Sequence, residues 1–165
     1  MGSLRFNHME LTLARGALDA TARADIGHFY AELFGFEAMD VPILGQLGLL
    51  LRTDAETSQF LLVTEAREPL HAPGFDHLGF LVESRERVDA LLARCRAWRA
   101  VDPRVQLKEY EDLAQGGVTV HAFYVRFLLP LWFDVQCIEY APNAAPERVW
   151  RFGAASTLPT GERLP

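Results

Sequence analysis

The sequence is short of positive charge. Its 16 basic residues stand against 22 acidic ones over 165 residues, a net charge of −6, and no basic run occurs. The electrostatic footprint of a nucleic-acid-binding surface is therefore missing. Long apolar runs are missing too: the longest, FLLPLWF at 127–133, falls far short of the roughly 18–20 residues that a membrane span needs. The N-terminal MGSLRFNH has no basic segment followed by an apolar one, so no secretory signal is read there. Cysteine is scarce, and Cys95 and Cys137 do not make a disulfide framework. These absences lead to the expectation of a cytoplasmic, reduced protein with neither nucleic acid nor membrane as partner. What is present is ordinary for one globular domain or two small modules sharing a core: half the residues are hydrophobic and 23% are charged.

The chain nearly repeats itself. FNHMELTL at 6–13 answers to FDHLGFLV at 75–82, with Phe6, His8 and Met9 matching Phe75, His77 and Leu78 at an offset of 69 residues. Residues 6–13 read as a strand flanked by an Arg-Gly turn at 15–16. From Leu18 to Phe34 the apolar positions recur at three- and four-residue steps, which predicts a helix that Gly35 ends in a left-handed turn. Strand-like runs follow at 36–41, 46–52 and 59–65. The series restarts after HAPG at 71–74. Strand 75–82 leads to Ser84 as helix N-cap, then to a helix with Val88, Leu91, Leu92, Cys95 and Trp98 on one face. Runs near 104–110, 117–129 and 132–140 complete it. Each half reads strand, helix, strand, strand, strand, and the proline-rich stretch 141–165 reads as a C-terminal arm.

FNHMELTL, HFYAELFGFE at 28–37, FDHLGFLV, and FYVRF followed by FDVQCIEY within 123–140 together resemble the vicinal-oxygen-chelate superfamily. That group includes glyoxalase I, extradiol dioxygenases, methylmalonyl-CoA epimerase and bleomycin-resistance proteins. The resemblance spans about residues 6–140. It implies an α+β fold with two βαβββ modules, about 4–68 and 73–140, forming an open cup-shaped barrel within one domain over 1–140. It also implies a divalent metal ion inside the cup, with Fe(II) favoured and Mn, Zn or Ni as alternatives.

Strand alternation gives the cup its lining. Met9, Leu11 and Leu13 suit the helix side of the first strand, leaving His8, Glu10 and Thr12 on the other. Leu78, Phe80 and Val82 likewise leave His77, Gly79 and Leu81. Phe133, Val135, Cys137 and Glu139 share one face of the last strand, and this face is read as inward. The expected metal ligands are therefore His8, His77 and Glu139, a two-histidine, one-carboxylate set. A fourth ligand is expected near Leu62 or Val63, where neither side chain can serve, with Glu65 slightly late and Gln59 early. Tyr124 is inward beside Ala122 and Arg126 and is the expected catalytic hydrogen-bond partner. His121, on the opposite face unless the strand slips, is the secondary acid–base residue, and Glu10 is a base or a rim residue. The leading expectation is an extradiol-type ring-cleaving dioxygenase acting on a small aromatic or oxygen-chelating substrate. The alternatives are a metal-dependent isomerase or lyase, and a metal-free ligand-sequestering protein; a homodimer is the assembly held open.

Overall fold

The computed structural model describes residues 6–54 and 59–147. The first module runs β1 (His8–Ala14), α1 (Ala20–Phe34), β2 (Glu37–Ile43), β3 (Gln46–Arg52) and β4 (Phe60–Ala66). The second runs β5 (His77–Leu81), α2 (Arg85–Val101), β6 (Gln106–Glu109), β7 (Leu113–Gln115), β8 (Val118–Arg126) and β9 (Trp132–Tyr140). Both are βαβββ units. In the second, the strand after the helix is broken into β6 and β7, and both pieces pair with β8.

The two sheets share one plan. The strand orders are β1-β4-β3-β2 and β5-β9-β8-β6, with the first strand of each module parallel to the last and the other pairs antiparallel. Each helix is the crossover that this parallel pairing demands. Asp19 caps α1 by accepting from the Ala22 N–H at 2.8 Å, and Gly35, at φ 72°, turns the chain out of it. Ser84 caps α2 by accepting from the Arg87 N–H. The run 117–129, read as one strand, stops at Arg126 because 127–131 turns around Pro130, with Leu128 in the left-handed region.

A single core serves both modules. Leu11, Leu61 and Val63 of the first sheet and Phe123, Val125, Phe133 and Val135 of the second all face it and are essentially buried. Between them lie the helices: α1 covers β2 and β3, α2 covers β6, β8 and β9, and the two helices touch. Among the described residues the backbones of the two sheets do not approach each other. Aromatic rings weld the layers. Phe29 stacks on Phe127 at 4.4 Å, Tyr30 meets Phe133 at 4.8 Å, and Phe36 meets Phe80 at 5.6 Å. Burying each such ring contributes roughly 1.5–3 kcal/mol.

The consequence is a layer order of sheet, helices, sheet. The faces bearing His8 and His77 are the outer surfaces on opposite sides of this sandwich. Within one chain they do not oppose each other across a cup, because the apolar sides of both sheets turn toward the same helices. Of the segment read as an arm, Ala141 donates its N–H to the Gly117 carbonyl at 2.8 Å, and residues 148–165 lie outside the described ones. Among the described residues no helix is long and apolar enough to cross a membrane.

Tyr30 ties the modules by a polar bond inside this core. Its hydroxyl donates to the Phe127 carbonyl at 3.2 Å and accepts from the Phe127 N–H at 3.4 Å, with no exposure to solvent. Burial pushes the phenol pKa far up, against a small opposing effect of the Phe127 bond, so the hydroxyl stays protonated. Tyr30→Phe strips the Phe127 peptide of its partner and is expected to cost about 1–3 kcal/mol in urea unfolding, with the fold retained. An unchanged midpoint would show that the bond does not join the modules.

Candidate metal centre

His77 opens β5 and points outward from the second sheet. Its Nδ1 lies 2.9 Å from the Phe75 carbonyl oxygen, which can only accept, so Nδ1 carries the proton. The lone pair is thereby left on Nε2, the tautomer suited to a metal. Facing it is Asp134 of β9, whose Oδ2 is 3.6 Å from Nε2, too long for a hydrogen bond. Parallel pairing accounts for the meeting: His77 is registered with Trp132 and Gly79 with Asp134, so both side chains emerge on one face. Gly79, with no side chain, makes room there for the Gln136 amide, whose Nε2 would lie 3.3 Å from a Cβ at that position.

Asp134 is the most unusual polar residue of the described chain. It is 6% exposed, and its Oδ1 is buried without any hydrogen-bond partner. Burial raises its pKa, and His77 opposes that rise only in part. An orphaned buried carboxylate oxygen is costly in a protein interior. A divalent cation between Nε2 and the carboxylate would satisfy both groups, so these residues fit the metal that the resemblance implies.

His8 repeats the device on the other sheet. Its Nδ1 is 2.8 Å from Asn7 Oδ1 and its ring stacks on Phe60 at 4.8 Å, again leaving Nε2 outward. Two residues on, Glu10 Oε1 accepts from the Thr64 hydroxyl at 2.7 Å and is thereby aimed along the same face. Gly48 keeps that floor low, since a Cβ there would meet the Val63 carbonyl oxygen at 3.0 Å.

The expected residues divide between two faces. Tyr124 lies beside His77, ring centroids 4.7 Å apart, and is registered with Asp134 across β8 and β9. Burial, with the neighbouring Asp134 and Tyr110, raises its pKa. Glu139 does not join them. It lies on the helix side of β9, where its carboxylate takes the Arg85 guanidinium at 3.1 Å. Phe133, Val135 and Cys137, read as inward with it, are buried on that helix side. His121 is also on the helix side, its ring nitrogens 2.8 Å from Asp89 and 2.7 Å from Asp112. Glu65, the nearest carboxylate to the expected fourth ligand, instead accepts the Leu18 N–H at 2.6 Å. Among the described residues of one chain, no group of three His, Cys, Asp or Glu side chains converges to hold a metal.

Asp134 is the polar residue beside His77 that the sequence reading did not single out. β9 opens with Trp132 and Phe133, apolar on both faces, so alternation alone does not fix its parity. A signal was nevertheless present. A strand starting just after the Pro130 turn and running parallel to β5 sets Trp132 beside His77, and the next same-face residue is Asp134.

No protein-family model matches the sequence, and no curated protein matches it significantly. Solved structures do resemble it. The fosfomycin resistance protein FosX from Listeria monocytogenes superposes with a TM-score of 0.56 at 18% identity, covering 82% of this chain and 90% of that one. A glyoxalase family protein from Bacillus anthracis gives 0.54 at 17% identity, covering 84% and 98%. FosX complexed with Mn(II) and sulfate gives 0.54 at 17% identity, covering 83% and 90%. At such identities the likeness is one of fold: the chain shares the fold of FosX and of the glyoxalase family protein.

The helix-side cluster makes a prediction of its own. His121 faces Asp89 and Arg85 of α2, Asp112 of the loop before β7 and Glu139 of β9. Burial lowers its pKa, but the bonds to Asp89 and Asp112 outweigh burial and raise it. A raised folded pKa makes the stabilisation complete below the unfolded value of about 6.5 and loses it as pH rises through the folded value. Unfolding free energy measured against pH should therefore fall above about pH 6.5 in the native chain, and His121→Gln should flatten that fall. An identical slope in the variant would contradict the charged bridge.

Proposed function

Starting from the vicinal-oxygen-chelate fold, we propose that this chain is a metal-dependent enzyme whose centre is completed by a second copy of itself. The observation that carries the proposal is the half-site: His77 and the orphaned Asp134 face outward on one sheet, while His8 and Glu10 face outward on the other. In a twofold pair the second sheet of one copy lies against the first sheet of the other. Phe6, Phe75, Leu81, Tyr110 and Tyr140, large side chains left between 36% and 56% exposed, lie on or beside these faces and gain cover there. His77, Asp134 and the partner subunit's His8 would hold the divalent ion, which when bound would supply Lewis-acid polarisation of a chelated substrate oxygen. FosX, of the same fold, is known with Mn(II).

The chain's other residues favour proton transfer over oxygen chemistry. Glu10, held by Thr64, is a carboxylate base on the His8 face and accepts a proton from the carbon beside the polarised oxygen, or from a water. Tyr124, kept protonated by its raised pKa, donates a hydrogen bond to the substrate oxygen as charge develops there. Phe75 and Trp132 wall the site and exclude water. The dioxygenase expectation drew on a three-ligand site that leaves coordination positions for oxygen, with His121 as a secondary proton-transfer residue. His121 faces α2 instead, and a carboxylate, Glu10, stands on the His8 face. The isomerase, lyase or hydrolase type is therefore the reading adopted here.

Metal retention after dialysis and proton exchange on a panel of hydroxy-carbonyl compounds test this reading. Asp134→Ala should weaken Mn(II) binding at least about tenfold and Glu139→Ala should leave it intact. Glu10→Gln should keep the metal but slow exchange by about 10²–10⁴-fold. Oxygen uptake with catechols in the absence of exchange would return the assignment to the dioxygenase. The reverse ranking of Asp134 and Glu139 would remove the proposed centre.

A further inference from the structure

Of the 16 basic residues in this chain, one is a lysine, Lys108. It lies on β6, registered with Tyr124 across β6 and β8, on the outward face that carries His77 and Asp134. Its ammonium sits over two rings, 5.3 Å from the Tyr110 centroid and 5.8 Å from that of Phe75. Arg126, on the same face, lies 4.5 Å over Trp132 and donates to Gln106 at 2.7 Å. Neither cation has a carboxylate within ion-pairing distance among the described residues, whereas seven arginines elsewhere do. In a chain of net charge −6, this face keeps two positive charges unneutralised.

The register converts these charges into a ruler. One row across the sheet reads Lys108, Tyr124, Asp134, Gly79. Beside it Gln106 pairs with Arg126 and Trp132 with His77, and the Arg126 guanidinium over the Trp132 ring joins the two pairs. Lys108 thus stands two strands from Asp134, roughly 10 Å at the usual strand spacing. The ground between is aromatic: Tyr124 touches Tyr110 at 4.9 Å and Phe75 at 6.3 Å. A ligand matching this surface has oxygen donors at the His77 and Asp134 end, a flat ring over Tyr124, and an anion at the far end. We infer that the enzyme acts on an aromatic carboxylate, whose carboxyl group is held by Lys108 while its ring lies among Tyr110, Phe75 and Tyr124. A single ammonium suits a monoanion, and the rings have no counterpart in a small aliphatic phosphonate. This inference rests on the metal-centre reading for the placement of the substrate's oxygen end.

The test compares 2-naphthoate with the neutral 2-naphthamide on Mn(II)-loaded protein, by calorimetry and by the resonance of the lone isotopically labelled lysine. Naphthoate should bind at least about tenfold more tightly and shift the lysine signal, a difference of about 1.4 kcal/mol. Lys108→Gln should bring naphthoate down to the amide's affinity, and Lys108→Arg should keep most of the preference. Equal binding of the two compounds, a preference that survives Lys108→Gln, or no binding of naphthoate at about 1 mM would each overturn the inference. So would methylphosphonate binding as tightly as naphthoate. Mn(II) retention, measured on the same samples, separates the two claims. It should be unchanged in Lys108→Gln, and its loss in native protein would instead count against the metal centre.

Discussion

One constraint organises this molecule: both sheets bury their apolar sides against the same pair of helices. Phe29, Tyr30 and Phe36 from the first module interlock with Phe127, Phe133 and Phe80 from the second. Once those rings share a core, strand alternation leaves no choice for the remaining side chains. His8 and Glu10 are driven to one outer surface, and His77, Tyr124 and Asp134 to the other. The packing that stabilises a single chain is thus the same packing that keeps His8 and His77 apart.

The two faces of the second sheet perform different work, and their charges show it. On the helix side, carboxylates and cations neutralise each other: Arg85 bridges Asp112 and Glu139, and His121 bridges Asp89 and Asp112. The outward side is left unbalanced. Asp134 has an oxygen with no partner, while Lys108 and Arg126 rest on aromatic rings rather than carboxylates. Unsatisfied groups concentrated on one surface are what a binding face retains and a structural face removes.

Much of this was legible in the sequence. The 69-residue echo located both modules and both histidines, and Gly35 and Ser84 marked helix boundaries that the structure keeps. That Tyr124 lies on the face opposite Phe123 and Val125 followed from alternation. What alternation could not resolve was β9, where Trp132 and Phe133 offer an apolar residue to either face; the face of Phe133, Val135, Cys137 and Glu139 was read as inward for want of a further signal. Nor does alternation within a strand report which way a whole sheet faces. That depends on tertiary contacts such as Tyr30 with Phe127, which lie 97 residues apart in the chain.

The claim at the centre of this account is that each metal centre draws His8 from one copy and His77 from another. Mixing is its most direct measure. His8→Ala and His77→Ala proteins, prepared separately, should each fail to retain Mn(II). After denaturation together and refolding, half the pairs are mixed, and each mixed pair holds one site with both histidines intact. The mixture should therefore recover about one quarter of the native metal content. A mixture that retains no more metal than its separate components would contradict a centre shared between copies.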